Sequence, residues 1–177
     1  MKQFREEHPR VAVIQLPGVN CEYETRATLE RAELDAEIVR WNRPSGDLEA
    51  FDAYVIPGGF AYEDRIRAGA VAAKVPVLDV VGRGAEAGKP VLGLCNGAQV
   101  LVETGMVPGI RPGEVELAIG ANRGGWNGYY CAWVYVRVSK EGRETAFTSR
   151  FEDGEVFPVP MAHASGRFTM RDRERFR

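Results

Sequence analysis

The first half of the chain alternates short apolar runs with segments of helical spacing. Val11 to Leu16 is a continuous apolar run that ends at Pro17-Gly18, and Glu22 to Ala36 then carries alanine, leucine and charged residues at helical spacing. A run without polar alternation is typical of a strand buried on both faces of a parallel sheet. We therefore expect a strand followed by a helix at the start of the fold.

The same order of elements continues along the chain. Arg65 to Val81 has helical spacing with a break at Pro76, and Asn96 to Glu103 has it again. Three further apolar runs predict strands: Ala36 to Trp41, Tyr54 to Ile56 and Val91 to Leu94. Strands that alternate with helices predict an α/β fold with a mostly parallel sheet flanked by helices.

From Gly109 onward the pattern changes to glycine-rich loops around β-branched or alternating runs. Tyr129 to Val138 and Val156 to Val159 are the clearest of these, and we expect them to be later strands. The chain has 177 residues, of which 45% are hydrophobic, which is enough to bury one sizeable core. The pattern shows no repeat or linker, so we expect a single domain over 1–177.

Charge and hydropathy narrow the classes of partner. The 23 basic and 25 acidic residues give a net charge of −2 and are scattered, so we expect no nucleic-acid partner. No apolar run approaches the roughly 20 residues that span a bilayer, and the start of the chain is charged where a secretory signal would be apolar. These features predict a cytoplasmic protein with no membrane partner.

The three cysteines, Cys21, Cys95 and Cys131, are odd in number and unevenly spaced. This spacing indicates neither a disulfide framework nor paired zinc ligands, and we expect no metal site. Cys21 lies at the carboxyl end of the first predicted strand, where ligands often bind in open α/β sheets, but the favoured interpretation is a helix-entry residue that follows an asparagine cap. Cys131 lies within a strand pattern and is expected in the core, as is Trp41.

The most informative motif is Gly93-Leu94-Cys95-Asn96-Gly97, at a predicted strand-to-helix turn. A nucleophile flanked by glycines in such a turn projects above the sheet from a tight backbone. The amino end of the helix favours a thiolate, and the amide of Asn96 can point at a developing oxyanion. The alternative is that Cys95 is a small buried hydrophobic residue that ends a core strand.

Two further features bear on this chemistry. The Gly58-Gly59 pair follows another predicted strand and could supply a second oxyanion donor, although a plain β turn explains it equally well. A thiol nucleophile normally needs an imidazole, and the sequence offers His8 in the charged start and His163. The residues around His163 include no carboxylate that could orient its ring, so a structural role remains an alternative.

Four motifs in order give the chain a resemblance to a known family. They are Pro17-Gly18-Val19-Asn20-Cys21-Glu22, Pro57-Gly58-Gly59-Phe60-Ala61-Tyr62-Glu63-Asp64, Arg67-Ala68-Gly69-Ala70 and Gly93-Leu94-Cys95-Asn96-Gly97-Ala98-Gln99. Together they resemble the glutaminase subunit family of phosphoribosylformylglycinamidine synthase (the PurQ family), a class I glutamine amidotransferase with a flavodoxin-like fold. The elbow motif is common to many class I amidotransferases, whereas the first two motifs are more specific.

The resemblance implies hydrolysis of glutamine through a γ-glutamyl thioester on cysteine. In the family, the ammonia passes to a large synthetase subunit and converts formylglycinamide ribonucleotide to formylglycinamidine ribonucleotide in purine synthesis. By position, Cys95 would be the nucleophile, and the amides of Gly59 and Asn96 would form the oxyanion hole. The glutamine pocket would include Gly58, Phe60 and Gln99.

The chain departs from the family pattern in three ways. The family's triad histidine and glutamate lie in a Pro-His-Pro-Glu segment that does not occur in this sequence, so we expect an incomplete carboxyl-terminal part and little turnover. His163 matches an earlier Ala-His-x-Glu-Gly motif, with Ser165 in place of the glutamate, so the resemblance counts against a pairing of Cys95 with His163. Ala132 stands where relatives often carry arginine.

The resemblance also implies partners. These are the large synthetase subunit, which uses ATP and Mg²⁺, and a small bridging subunit, with no cofactor in this subunit itself. Two alternatives stay open. The chain could be a docking subunit that no longer hydrolyses glutamine, or a related elbow-cysteine hydrolase in which His163 lies within hydrogen-bond reach of Cys95.

Overall fold

The computed structural model of the chain describes residues 8–111, 113–124, 128–139 and 145–170. The chain divides into two compact units, one comprising Met1–Gly120 with Phe168–Arg177 and the other comprising Ala121–Arg167. The single domain that the sequence predicts over 1–177 stays a prediction.

A four-stranded parallel sheet forms the centre of the first unit. Its strands follow the order β2-β1-β3-β4, and each neighbouring pair is parallel. They are β1 (Arg10–Gln15), β2 (Asp35–Arg40), β3 (Ala53–Ile56) and β4 (Val91–Gly93). From β1 the chain passes to β2 on one side, and from β2 it returns past β1 to β3 on the other side. This reversal places a switch point between β1 and β3. The predicted mostly parallel α/β sheet is confirmed.

Strand β1 lies inside the sheet and is buried on both faces. Val13 pairs with Ile38 on one side and with Val55 on the other. From Val11 to Ile14 no residue is more than 3% exposed. Burial on both faces was predicted from the continuous apolar run in the sequence, and it is confirmed, since neither face of this strand meets water.

The helices are shorter than the sequence pattern predicts. Helix α1 (Glu22–Arg31) ends before the left-handed residue Glu33, whose φ is 61°, and the rest of the predicted helix turns into β2. The other helices are α2 (Ser45–Glu49), α3 (Val77–Glu86) and α4 (Asn96–Thr104). The predicted helix over Asn96 to Glu103 is confirmed as α4.

The helix predicted over Arg65 to Val81 is wrong for its first part. Short 3-10 turns occupy Ala61–Asp64 and Ala72–Lys74, and α3 begins only after Pro76. A proline at a helix start loses no backbone hydrogen bond, because the first amides of a helix have no partner within it. Pro76 therefore starts a helix here and does not interrupt one.

The main core lies between the sheet and its helices. Tyr54 is 1% exposed, and its hydroxyl donates a hydrogen bond of 3.0 Å to the carbonyl of Leu48. The core residues are Ala12, Ile14, Leu16, Val39, Leu48, Phe51, Tyr54, Ile56, Ala61, Ala72, Val75, Val77, Leu78, Val80, Val81, Val100 and Leu101. Trp41 is 40% exposed, so its predicted place in the core is wrong.

The later strands are antiparallel or form separate small sheets. Strand β6 (Tyr130–Arg137) pairs antiparallel with β7 (Val156–His163), and β5 (Leu117–Ala121) pairs with β8 (Ser165–Met170). The strand predicted over Tyr129 to Val138 is thus present. The strand predicted over Val156 to Val159 continues to His163.

Cys131 lies on β6 and is exposed, so its predicted place in the core is wrong. Exposed and half-buried residues largely alternate along β6 and β7. The strand pattern in the sequence therefore did not show on which face Cys131 would lie. Among the described residues, no helix has the length and apolar character needed to cross a bilayer.

Candidate active site

Cys95 occupies a strained turn between β4 and α4. Its backbone has φ 52° and ψ −109°, and a positive φ is uncommon for a residue other than glycine. The amide of Leu94 donates to the carbonyl of Ile56 at 2.9 Å, and the amide of Ala98 donates to the carbonyl of Cys95 at 3.0 Å. These bonds fix the turn on both sides of the cysteine. The residue is exposed, in contrast to the buried alternative.

Both flanking glycines are required by close backbone packing. A β-carbon on Gly93 would lie 2.7 Å from the amide nitrogen of Ala98, and one on Gly97 would overlap the carbonyl of Ile56. Distances of this kind are too short for a real side chain. The glycines therefore let α4 start directly above β3 and β4, and this places the cysteine at the carboxyl edge of the sheet.

The Gly58-Gly59 loop lies directly beside the elbow. A β-carbon on Gly58 would lie 3.4 Å from Cβ of Cys95 and 3.7 Å from Sγ of Cys21, so this glycine lies against both cysteines. Gly59 has φ 147° and forms an isolated antiparallel bridge with Val19. The loop is thus tied to the chain that follows β1, which a plain β turn would not require.

The loop that follows β1 supports the glycine loop from the other side. The amide of Phe60 donates to the carbonyl of Gly18 at 2.9 Å, and the amide of Cys21 donates to the carbonyl of Gly58 at 3.3 Å. The side chain of Phe60 is 50% exposed and stays available to a ligand. Two of the sequence motifs therefore form one structure around Cys95.

Cys21 lies at the entry of α1, as predicted, but it is itself the N-cap residue and the predicted asparagine cap is wrong. Its pKa is raised, chiefly because partial burial disfavours the thiolate, and further by the negative charges of Glu24, Cys95 and Glu22. Its proximity to the elbow was missed from the sequence. Since β1 and β3 are neighbours in the sheet, the loops after them had to meet.

The side chain of Asn96 forms a buried hydrogen-bond network that the sequence did not predict. Asn96 is 2% exposed, and its Oδ1 accepts a hydrogen bond of 2.9 Å from the amide of Ala61. Its Nδ2 donates to Oδ1 of Asp64 at 3.0 Å and to Oε1 of Gln99 at 2.9 Å. Burial raises the pKa of Asp64, and the hydrogen bond from Asn96 partly opposes that rise.

His163 lies in the second unit, where its ring contacts Asn122. Nδ1 of His163 is 3.0 Å from Oδ1 of Asn122, and Nδ2 of Asn122 donates to the carbonyl of His163 at 2.8 Å. The amide of Gly166 donates to the same Oδ1 at 3.2 Å. The ring therefore has a local structural partner, and the expectation that it does not pair with Cys95 stays a prediction. His8 is exposed, just before β1.

Within the described ranges, no three or more His, Cys, Asp or Glu side chains are grouped so that they could hold a metal ion. The chemistry that this site offers comes from a thiol and backbone amides. Cys95 is the residue that precedes the first turn of α4. The amides of Asn96 and Gly59 belong to the two backbones that meet at the cysteine, and their role as oxyanion donors stays a prediction.

An open parallel sheet with an exposed cysteine elbow and a facing glycine loop defines the class of enzymes that attack amide or ester carbonyls by acyl transfer. The family model of the CobB/CobQ-like glutamine amidotransferase domain matches residues 8–177, and the chain belongs to this family. The resemblance predicted from the four motifs is confirmed.

Two curated relatives show which glutamine amidotransferases the chain is similar to. The chain is 45% identical over 174 residues to phosphoribosylformylglycinamidine synthase subunit PurQ of Methanothrix thermoacetophila, covering 93% of this chain and 64% of that protein. It is 38% identical over 169 residues to the protein of the same name from Pyrococcus furiosus, covering 95% of this chain and 69% of that protein. The chain thus spans about two thirds of the length of these curated relatives.

A solved structure supports the fold. A chain in the structure of PurLQS from Thermotoga maritima matches with a TM-score of 0.77 and 30% identity, covering 93% of this chain and 71% of that chain. The flavodoxin-like amidotransferase fold predicted from the sequence is confirmed.

Proposed function

We propose that this chain provides the glutaminase site of a phosphoribosylformylglycinamidine synthase. The observation that carries the proposal is the position of Cys95, exposed in a strained elbow with Gly58 packed against its β-carbon. The description of the matching family, a glutamine amidotransferase domain, supplies the substrate class, and the names of the curated relatives supply the synthase.

The thiolate of Cys95 would attack the side-chain amide carbon of glutamine. The carbonyl oxygen becomes an oxyanion between the amides of Gly59 and Asn96. The carbon–nitrogen bond then breaks, and the departing nitrogen takes a proton from water, which balances the proton that the thiol gave to water, and leaves as ammonia. Water then cleaves the γ-glutamyl thioester, which releases glutamate and restores the thiol. Gly58, Phe60 and Gln99 would line the glutamine pocket.

The ammonia would serve a large synthetase subunit, which would use ATP and Mg²⁺ to replace the formamide oxygen of formylglycinamide ribonucleotide. A small bridging subunit would join the complex, and this chain would need no cofactor of its own. Three free cysteines suit the reducing cytoplasm, where we place the protein.

The test measures glutamate release from glutamine by the protein alone and with the large synthetase subunit, formylglycinamide ribonucleotide, ATP and Mg²⁺. Because the Pro-His-Pro-Glu segment does not occur in this sequence, we expect slow glutamate release in the complex, and we expect Cys95→Ala to abolish it. Complex formation without glutamate release would contradict the proposal and favour a docking role. Release that persists in Cys95→Ala would contradict the assignment of the nucleophile.

A further inference from the structure

One face of α4 contacts the segment that follows the glycine loop. The residues on this face are Asn96, Gln99, Val100 and Glu103, whose spacing of three and four places them above one another on a helix. The segment runs from Ala61 to Gly69 and contains no long helix. Its path along α4 is fixed at both ends.

At the amino end of α4, the side chain of Asn96 holds this segment. Its Oδ1 accepts from the amide of Ala61 at 2.9 Å, and its Nδ2 donates to Asp64 at 3.0 Å. A second bond of 2.9 Å joins Nδ2 to Gln99. A primary amide has two N–H donors and one carbonyl acceptor, so each polar atom of Asn96 is used in a site that is 2% exposed.

Further along α4, a bidentate ion pair holds the same segment. Nε and Nη2 of Arg67 donate to the two carboxylate oxygens of Glu103 at 2.6 and 2.5 Å. The side chain of Glu103 is only 6% exposed. Gly69 then packs so closely on the helix that a β-carbon there would lie 2.7 Å from the backbone of Gln99 and Val100. Only arginine can form this two-pronged contact.

The segment between these contacts is strained. Tyr62, Glu63, Asp64 and Ile66 have φ values of 54°, 58°, 52° and 72°, in the left-handed region that residues other than glycine rarely adopt. Such a backbone persists only where its surroundings fix it. The contacts of Asn96 and of the Arg67 pair with Glu103 supply that restraint.

We propose that Asn96 is a positioning residue whose side chain sets the place of the Gly58-Gly59 loop relative to the elbow. The backbone of Asn96 belongs to the elbow, and its side chain fixes Ala61, two residues beyond Gly59. One residue therefore links the two amides of the candidate oxyanion hole, and the ion pair of Arg67 with Glu103 secures the far end. The proposal rests on the proposed function for the identity of the ligand.

The test uses the chloroketone analogue of glutamine, which alkylates Cys95 through glutamine recognition, beside iodoacetamide, which reports only access to the thiol. Asn96→Asp keeps the size of the side chain but removes the donor and directs a carboxylate at Asp64. We expect the limiting rate of chloroketone alkylation to fall about tenfold or more, with the half-saturating concentration changed by less than about threefold. The iodoacetamide rate at Cys95 should stay unchanged.

Arg67→Lys should lower the limiting rate in the same direction by a smaller factor, because lysine cannot form the bidentate contact. Two matched controls should leave both rates unchanged: Asn42→Asp at an exposed position, and Arg65→Lys in the exposed pair with Glu63. An Asn96→Asp variant with the wild-type limiting rate would overturn the proposal. An equal fall in both alkylation rates would also overturn it, since that indicates a disturbed thiol.

If the rate of Cys95 alkylation in the wild-type protein does not saturate with chloroketone concentration, the proposed function fails. Amide hydrogen exchange then tests the positioning role separately. Asn96→Ala removes the acceptor of the Ala61 amide, so exchange at Ala61 should accelerate about tenfold or more, whereas Asn42→Ala should not change it. Unchanged exchange at Ala61 in Asn96→Ala would overturn the positioning role independently of glutamine chemistry.

Discussion

The carbonyl of Ile56 occupies the place that a β-carbon on Gly97 would take. Ile56 ends β3 and Gly97 lies in the first turn of α4, so this contact joins the helix that begins after the nucleophile to the neighbouring strand. The glycine is therefore a requirement of packing between two main chains. Any side chain at this position would push the helix start away from the sheet.

Gly97→Ala tests this packing. The added β-carbon would meet the backbone of β3, and neither this backbone nor that of α4 can rotate away as a side chain can. We therefore expect the substitution to lower the free energy of unfolding by about 1–3 kcal/mol, the usual cost of overpacking. Urea denaturation followed by circular dichroism measures the change. The matched control is Gly46→Ala in α2, where a β-carbon would meet nothing within 4 Å. Equal stability of the two variants would show that the helix start can shift freely.

Tyr54→Phe tests the buried hydroxyl of the core. Tyr54 donates to the carbonyl of Leu48 at 3.0 Å, and phenylalanine leaves that buried acceptor without this donor. We expect a loss of about 0.5–1.5 kcal/mol in the free energy of unfolding. Tyr135→Phe, at a position that is 77% exposed, is the control and should change stability by less than about 0.5 kcal/mol. A Tyr54→Phe protein as stable as the control would contradict the hydrogen bond.

The pKa of Cys21 gives a pH-dependent prediction. Burial and the charges of Glu24, Cys95 and Glu22 raise this pKa, so at a given pH the Cys21 thiol has less reactive thiolate than an ordinary cysteine. The rate of its alkylation by iodoacetamide should therefore rise at higher pH than the rate for a free cysteine thiol. Glu24→Gln should move the profile to lower pH.

Glu30→Gln is the control for that profile, because Glu30 lies at the far end of α1 in an ion pair with Arg26. It should leave the alkylation of Cys21 unchanged. A profile for Cys21 that coincides with free cysteine, or that moves equally in both variants, would show that the proposed charges do not act on this thiol.

The strands and the elbow could be predicted from the sequence because they leave local signals. The apolar run of β1 reflects burial on both faces, and Gly93 and Gly97 mark the turn around Cys95. The first part of the helix predicted over Arg65 to Val81 was wrong because apolar spacing cannot reveal a left-handed backbone such as that of Ile66. Tertiary contacts with α4 override the local helical pattern there.

The polar network of the candidate site was missed for a related reason. Asn96 was considered for its backbone amide, whereas its side-chain bonds to Asp64 and Ala61 join residues that are 32 and 35 positions apart in the chain. Spacing on α4 was the available signal, since Asn96, Gln99 and Glu103 place three polar groups on one face of an otherwise apolar helix. The proximity of Cys21 to Cys95 likewise depended on strand order.

The central claim is that Cys95 is the nucleophile, and site-resolved alkylation tests it most directly. The protein is treated with the chloroketone analogue of glutamine, and peptide mass spectrometry follows labelling of Cys21, Cys95 and Cys131, all of which are exposed free thiols. We predict that Cys95 is labelled fastest, and that glutamine slows the labelling of Cys95 but not that of Cys21 or Cys131. Equal labelling of all three cysteines, or labelling of Cys95 that glutamine does not slow, would contradict this claim.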